Sequence, residues 1–397
     1  MSKVILTRYL YIFDEVGMSL IYSILKGSCL DESYFWLSEL YLSGLYSESW
    51  QLLWFIYYDF YYILNPQFET FLHKKTQEGD LKSLMTVTKN LFKFKSSSHV
   101  FITRQYHLHC KEDSNKTFRG PKPKWLLSIP IKYHTLFRLL DKKLYHLASK
   151  MLPETVDDEL FQSIHSYFKL TDEYIENIKR QFYSTNRCEN TIVNGLNENI
   201  LVHNDNSTKY EYQNHIHKIW AIICLLLFNP HHNTATKKIY IACSDDEVET
   251  LMKHHQESIP LNKYGNKQVY KTLEYKRLYS VNSLCSAFRL LRDNVDDINA
   301  CYRLHWEYYA YSCPIWNERF NQYNITIDDD LKKIVFNDDD ELEDFYSQFG
   351  YDPDEQSYET ENKRIVTMPE NNWKKWYEDI FNESAIYEFA EDFRFSY

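Results

Sequence analysis

A mainly α fold, an irregular multi-helical bundle in two lobes with a few short strands, is what this sequence predicts, and three observations carry the prediction. The segment 31–66, DESYFWLSELYLSGLYSESWQLLWFIYYDFYYILNP, holds two helix patterns split by Gly44, the second apolar almost all the way round. A helix of that kind has no side to offer to water, so other helices must wrap it. With only 8 Gly and 10 Pro in 397 residues, the chain is too poor in turn formers for a strand-dense architecture. Amphipathic stretches at helical spacing recur from end to end, and the length allows two or three separate cores.

The elements follow in order. Residues 1–186 read as an N-terminal helical domain. Tyr9 to Leu25 is amphipathic and stops at Gly27. Asp31 is placed to cap a helix carrying Phe35, Leu37, Leu40 and Tyr41, which Gly44 ends as a left-handed C′ residue. Ser47 is placed to cap the next, with Glu48 in its positive first turn. Trp50, Leu53, Trp54, Tyr57, Tyr61 and Leu64 form one stripe there, Leu52, Phe55, Ile56, Phe60 and Ile63 the opposite side, and Asn65-Pro66 closes it. Gly79-Asp80 opens a further helix through Leu84, Val87 and Leu91. The region 96–130 changes character: Val100–Tyr106 reads as a short strand or extended segment, and a polar basic loop follows. Helices resume over His134–Met151 and again after Thr155.

Residues 187–210 are Asn-rich and aperiodic, and mark the expected linker. The C-terminal helical domain, 211–397, starts with a helix over Tyr212–Phe228, then a strand-like run Lys238–Cys243 and a capping box from Ser244 to Glu247. Leu278–Leu291 is amphipathic. A stripe from Ile298 to Tyr309 breaks at Pro314, an acidic segment spans 328–361, and two helices are expected around Trp373–Phe381 and Ala385–Phe393.

Composition excludes several chemistries. The glycines never cluster, so the phosphate-cradling loops of P-loop, Rossmann and kinase sites are absent. The 8 cysteines are scattered without CxxC spacing, which suits reduced thiols better than a disulfide frame. His107, His109 and Cys110 stand close together, yet neither zinc-finger nor metalloprotease spacing occurs, so no metal and no cofactor are expected. Asp14 and Glu15 interrupt any signal-peptide core, and Trp220–Phe228 is too short to span a bilayer; a soluble protein without a membrane partner is expected. High aromatic content (34 Tyr, 24 Phe) reflects core packing together with A/T-rich codons.

Three features remain as candidates. Between Lys74 and Lys124 twelve basic residues face four acidic ones, interleaved with Phe92, Phe94, Tyr106, Phe118 and Trp125. That mixture suits phosphate contact with base stacking, and Lys116, Arg119, Lys122 and Lys124 are the expected phosphate contacts. The same stretch also suits a solvated loop, or a surface docking the chain's own acidic segment. That segment lacks the alternate-carboxylate register of a calcium loop, so helix N-terminal charge and solvation account for it. Asp59 is a single carboxylate within an apolar helix turn. Burial forces it to meet a cation, a helix end or several hydroxyls, a structural role.

The blocks at 35–66, 119–152 (RGPKPKWLLSIPIKYHTLFRLLDKKLYHLASKML) and 270–357, the last including WEYYAYSCPIWNERF and FYSQFGYDPDEQS, resemble an uncharacterised protein family of nucleocytoplasmic large DNA viruses, of the mimivirus and phycodnavirus kind. The resemblance implies a viral protein of the host cytoplasm, in the viral factory or the virion, and brings no activity with it. Three readings follow. The first is a non-catalytic interaction or scaffold protein with protein partners. The second is a nucleic-acid-binding accessory factor of viral replication or expression using 74–124. The third is an enzyme whose site has no recognisable motif; no catalytic residue is assigned.

Overall fold

The computed structural model describes residues 4–109, 122–153, 155–183, 207–230, 239–257, 305–349 and 380–381, and over them the chain is mainly α. In chain order the first helices are α1 (Phe13–Lys26), α2 (Leu30–Leu42), α3 (Tyr46–Phe60), α4 (Phe68–Glu78), α5 (Leu81–Lys93) and α6 (His99–His109). Then come α7 (His134–Asp141), α8 (Tyr145–Lys150), α9 (Asp158–Phe168), α10 (172–183), α11 (Ser207–Phe228) and α12 (Asp245–Glu257). After α13 (Trp306–Ala310) and α14 (Pro314–Phe320), an antiparallel hairpin pairs β1 (Ile325–Asp328) with β2 (Lys333–Phe336), in register Ile325 to Phe336, before α15 (Asp339–Phe349). Internal packing divides the chain into two units that interleave along it. One holds the described residues of Met1–Leu53, Gly79–Lys93 and Tyr240–Asn382; the other holds those of Trp54–Glu78 and Phe94–Ile239.

In the first unit α1, α2 and α5 pack on one another, and α12 lies on α2 and α5. Gly27 ends α1 with φ 63°, its N–H donating to Ser23 O. Gly44 follows α2 with φ +82°, and a Cβ there would come within 2.7 Å of the Pro314 ring, so the position demands glycine on two counts. α2 begins at Leu30 with Cys29 outside it, which puts Asp31 in the first turn rather than at the cap. α3 begins at Tyr46, so Ser47 is likewise inside the helix, its hydroxyl accepting from Gln51. Asp80 caps α5, accepting the Ser83 N–H at 2.7 Å. The capping box is present as a reciprocal pair: Ser244 N–H donates to Glu247 (2.8 Å) and Glu247 N–H to Ser244 Oγ (3.2 Å). Pro314 stands at the start of α14, where its missing N–H costs nothing, and the Trp316 indole N–H donates to Thr7 O.

The acidic segment carries a hairpin that its sequence did not announce. Asp328 Oδ1 accepts the Leu331 N–H, closing the turn, and Asp329 accepts the Tyr308 hydroxyl. Asp338 then caps α15, whose first turn holds Asp339, Asp340 and Glu341. Helix N-terminal charge thus accounts for the second half of the described acids, and turn geometry for the first. Residues beyond 349 of that segment lie outside the described residues, as do the expected helix 278–291, most of the Ile298 stripe, residues 187–206 of the expected linker, and the last two helices apart from residues 380–381. Residues 207–210 are helical, within α11.

In the second unit α6 and α7 pack on α8, and α11 packs on α6. Val100–Tyr106, expected as a strand or extended segment, lies in α6. Val100, Phe101, Ile102, Thr103 and Arg104 are all buried, so an alternation visible in the apolar letters does not describe two faces. Lys238–Cys243 is also no strand: its described part, 239–243, runs as irregular chain. The expected single helix over 134–151 breaks at Lys142–Leu144, where Lys143 takes φ 57°. Lys169, closing α9, and Lys332, in the hairpin turn, share that left-handed conformation, which L side chains resist. Along α3 and the turns after it, every side chain from Leu52 to Ile63 is buried, whereas Leu64 is 40% exposed.

Candidate functional site

Asp59 stands in the last turn of α3, 1% exposed. α6 brings Arg104 to it as a fork, Nε donating to Oδ1 at 3.2 Å and Nη2 to Oδ2 at 2.5 Å. α11 brings His217, whose Nε2 lies 2.5 Å from Oδ1 and whose ring rests against Phe55 and Tyr58. Burial alone would push the carboxyl upward. The Arg104 guanidinium, then His217, outweigh it and hold Asp59 well below the usual carboxylate range. The cation that burial demanded is thus an arginine 45 residues away in sequence, with a histidine 158 away.

The neighbouring residues repeat the arrangement. Tyr58 donates its hydroxyl to Glu69 Oε1 at 3.1 Å, Gln181 donates to Oε2 at 2.7 Å, and Lys218, next to His217, forms an ion pair with the same carboxylate. Lys218 also reaches the Gln181 carbonyl at 3.1 Å. So the Tyr58-Asp59 pair of α3 meets the His217-Lys218 pair of α11, with α4, α6 and α10 supplying the remaining partners. Each oxygen of both carboxylates is engaged. The first unit has its own buried acid, Glu39, accepting the Tyr9 N–H at 2.9 Å with Arg8 3.6 Å away. There burial prevails over Arg8 and raises the carboxyl pKa.

The four lysine and arginine positions expected to contact phosphate divide. Lys116 and Arg119 lie outside the described residues. Lys122 and Lys124 are exposed, at the entry to a one-turn 3₁₀ segment over Lys124–Ser128, and meet no acid among the described residues. A second such turn, Ile131–Tyr133, follows. Leu126, Ile129 and Tyr133 anchor this shoulder by burial, and Trp125 packs edge-on against Tyr167. The alternate side chains point outward: Leu127 is 75% and Ile131 81% exposed. Lys132 is bound to Asp157 and Glu159, so the uncompensated charge of the described shoulder rests on Lys122 and Lys124.

Among the described residues no three His, Cys, Asp or Glu side chains gather as a metal site, and no helix is long and apolar enough to cross a membrane. No family model, curated protein or solved structure matches this chain.

Proposed function

We propose that this chain is an interaction component of a large DNA virus, acting in the cytoplasmic factory or the virion, that binds a protein partner through the 122–133 shoulder. The observation that carries the reading is the pair Leu127 and Ile131, held outward from a segment that is otherwise anchored by its own buried residues. Two large aliphatic side chains at such exposure on one short segment, with exposed Lys122, Lys124 and Lys132 on the same segment, offer the apolar and polar groups that protein interfaces combine. The viral setting is supported by the block resemblance described above. The catalytic reading has its best residue in Asp59, whose oxygens are taken by Arg104 and His217.

The nucleic-acid reading keeps one specific support, the exposed Lys122 and Lys124 without acid partners. Both readings are tested by affinity capture of the tagged chain from infected cells beside a salt titration against a labelled single strand. The interaction reading expects L127D/I131D to lose a captured protein that K122A/K124A retains. The accessory-factor reading expects strand binding with a steep salt slope that falls by roughly two on K122A/K124A. Capture unchanged in L127D/I131D would sink the first, and absence of binding at low salt the second.

A further inference from the structure

We propose that the face of α5 carrying Lys82, Thr86 and Asn90 is a docking ladder for a peptide that runs extended into an acidic helix N-terminus, and that residues 240–247 of this same chain, which enter α12 at Asp245, are its resident occupant. Every group involved belongs to the first unit, and the proposal goes beyond the shoulder reading without depending on it.

The geometry is regular. Asn90 grips the backbone of Ile241 from both sides, Nδ2 donating to its carbonyl and Oδ1 accepting its N–H, each at 2.9 Å. Thr86 Oγ1 accepts the N–H of Cys243 at 3.0 Å. Lys82 pairs with Asp245 at 2.8 Å. Helix positions 82, 86 and 90, four apart, therefore address chain positions 245, 243 and 241, two apart, in the opposite direction. The match has a simple cause: four residues of α-helix rise about 6 Å, and two residues of extended chain advance about 6.6 Å. Thr86 and Asn90 thus follow the backbone over 241–243, and Lys82 reaches the side chain of Asp245, the first residue of α12.

What this ladder reads is almost entirely main chain. From 241 to 245 only Cys243 is buried, beside Tyr34 of α2, while Ile241, Ala242, Ser244 and Asp245 keep their side chains exposed. Charge supplies the rest: Lys89 binds Glu247 at 2.6 Å and reaches the Ala242 carbonyl at 3.4 Å. The occupant is defined by chemistry that another chain can supply. It needs a short extended stretch with a small residue in the place of Cys243, followed by a helix whose first turn carries acids two and four positions after it, as Asp245 and Glu247 do in α12. Main-chain pairing gives affinity and the few pockets give selectivity, as in other modes of extended-peptide capture.

Because the resident segment fills the ladder, an outside peptide sees only the fraction of molecules in which the segment has lifted, and its apparent affinity is reduced accordingly. The test uses the full chain and a fluorescein-labelled peptide of residues 240–249 with C243A, read by anisotropy. I241P removes the N–H that Asn90 accepts and loosens the resident segment. The expected result is that I241P binds the peptide at least about tenfold tighter than the unaltered chain, and that I241P/N90A loses the gain. A peptide carrying D245K should compete poorly. Equal binding by the unaltered chain and I241P, or indifference to N90A, overturns the proposal. Should I241P fail to fold, amide exchange in the unaltered chain decides. Protection at Ile241 and Cys243 must fall when peptide is added to saturation, and protection that stays constant overturns the proposal equally.

Discussion

Replacing Arg104 by Met leaves Asp59 charged in the core with His217 still against it, and its cost can be worked from the geometry. With donor–acceptor distances of 2.5 and 3.2 Å, the Coulomb attraction at an effective dielectric near 20 is about 5 kcal/mol. Part of it offsets the cost of taking both ions from water, and the single variant removes only one of them. Truncating one member of a buried pair typically costs about 3–5 kcal/mol for that reason. His217 still lies against Oδ1, so R104M should fall at the lower end, about 3 kcal/mol. The decisive comparison is the double variant D59N/R104M, in which the stranded charge is gone. It should recover at least about half the loss, because an unpaired ion is what made the single variant unstable. Urea denaturation followed by tryptophan fluorescence at constant ionic strength measures all four corners of the cycle. A cost for R104M below about 1 kcal/mol, or a double variant no more stable than R104M, refutes the reasoning.

The same carboxylate gives a pH prediction. Its folded pKa is depressed below the unfolded value, so its contribution is complete above about pH 4–5 and is lost as pH falls past the unfolded value near about 3.9 toward the folded one. Urea midpoints taken across that window should drop in the unaltered chain and drop less in D59N; parallel curves would contradict the assignment. G44A should destabilise by about 2–3 kcal/mol, from a side chain forced to φ +82° and from its approach to the Pro314 ring, and a thermal melt within error of the parent would show that the loop relaxes freely. T103V strips the acceptor at 2.9 Å from the buried Trp220 indole N–H and should cost about 1–3 kcal/mol, while T103S should not. Equal stability of the two variants would mean that Trp220 finds another partner.

Much of the helical scaffold was legible because its signals are local. Gly27, Gly44, Asp80 and the Ser244–Glu247 box each act within one helix turn, so adjacent letters carry them. The errors have equally physical causes. α6 looked like a strand because Val100, Ile102 and Tyr106 fall at even spacing among other letters, yet its polar Thr103 and Arg104 are buried by partners that lie far away in sequence. The β1–β2 hairpin was hidden by charge: Asp328 serves as a turn acceptor, a role that one aspartate among three does not advertise. Asp59 could be singled out, because a lone acid among rings is conspicuous and must be neutralised. Its partners could not, since nothing in the letters around Arg104 or His217 distinguishes a buried cation from a solvated one. The same is true of Glu39, whose Arg8 is 31 positions back along the chain.

The lysines at 143, 169 and 332 sit where the backbone turns through a conformation most chains reserve for residues lacking a side chain. Each such turn retains an internal tension of about 1–2 kcal/mol. An evolving sequence short of glycine therefore keeps a reserve: three point changes, K143G, K169G and K332G, offer relief without disturbing a single core contact.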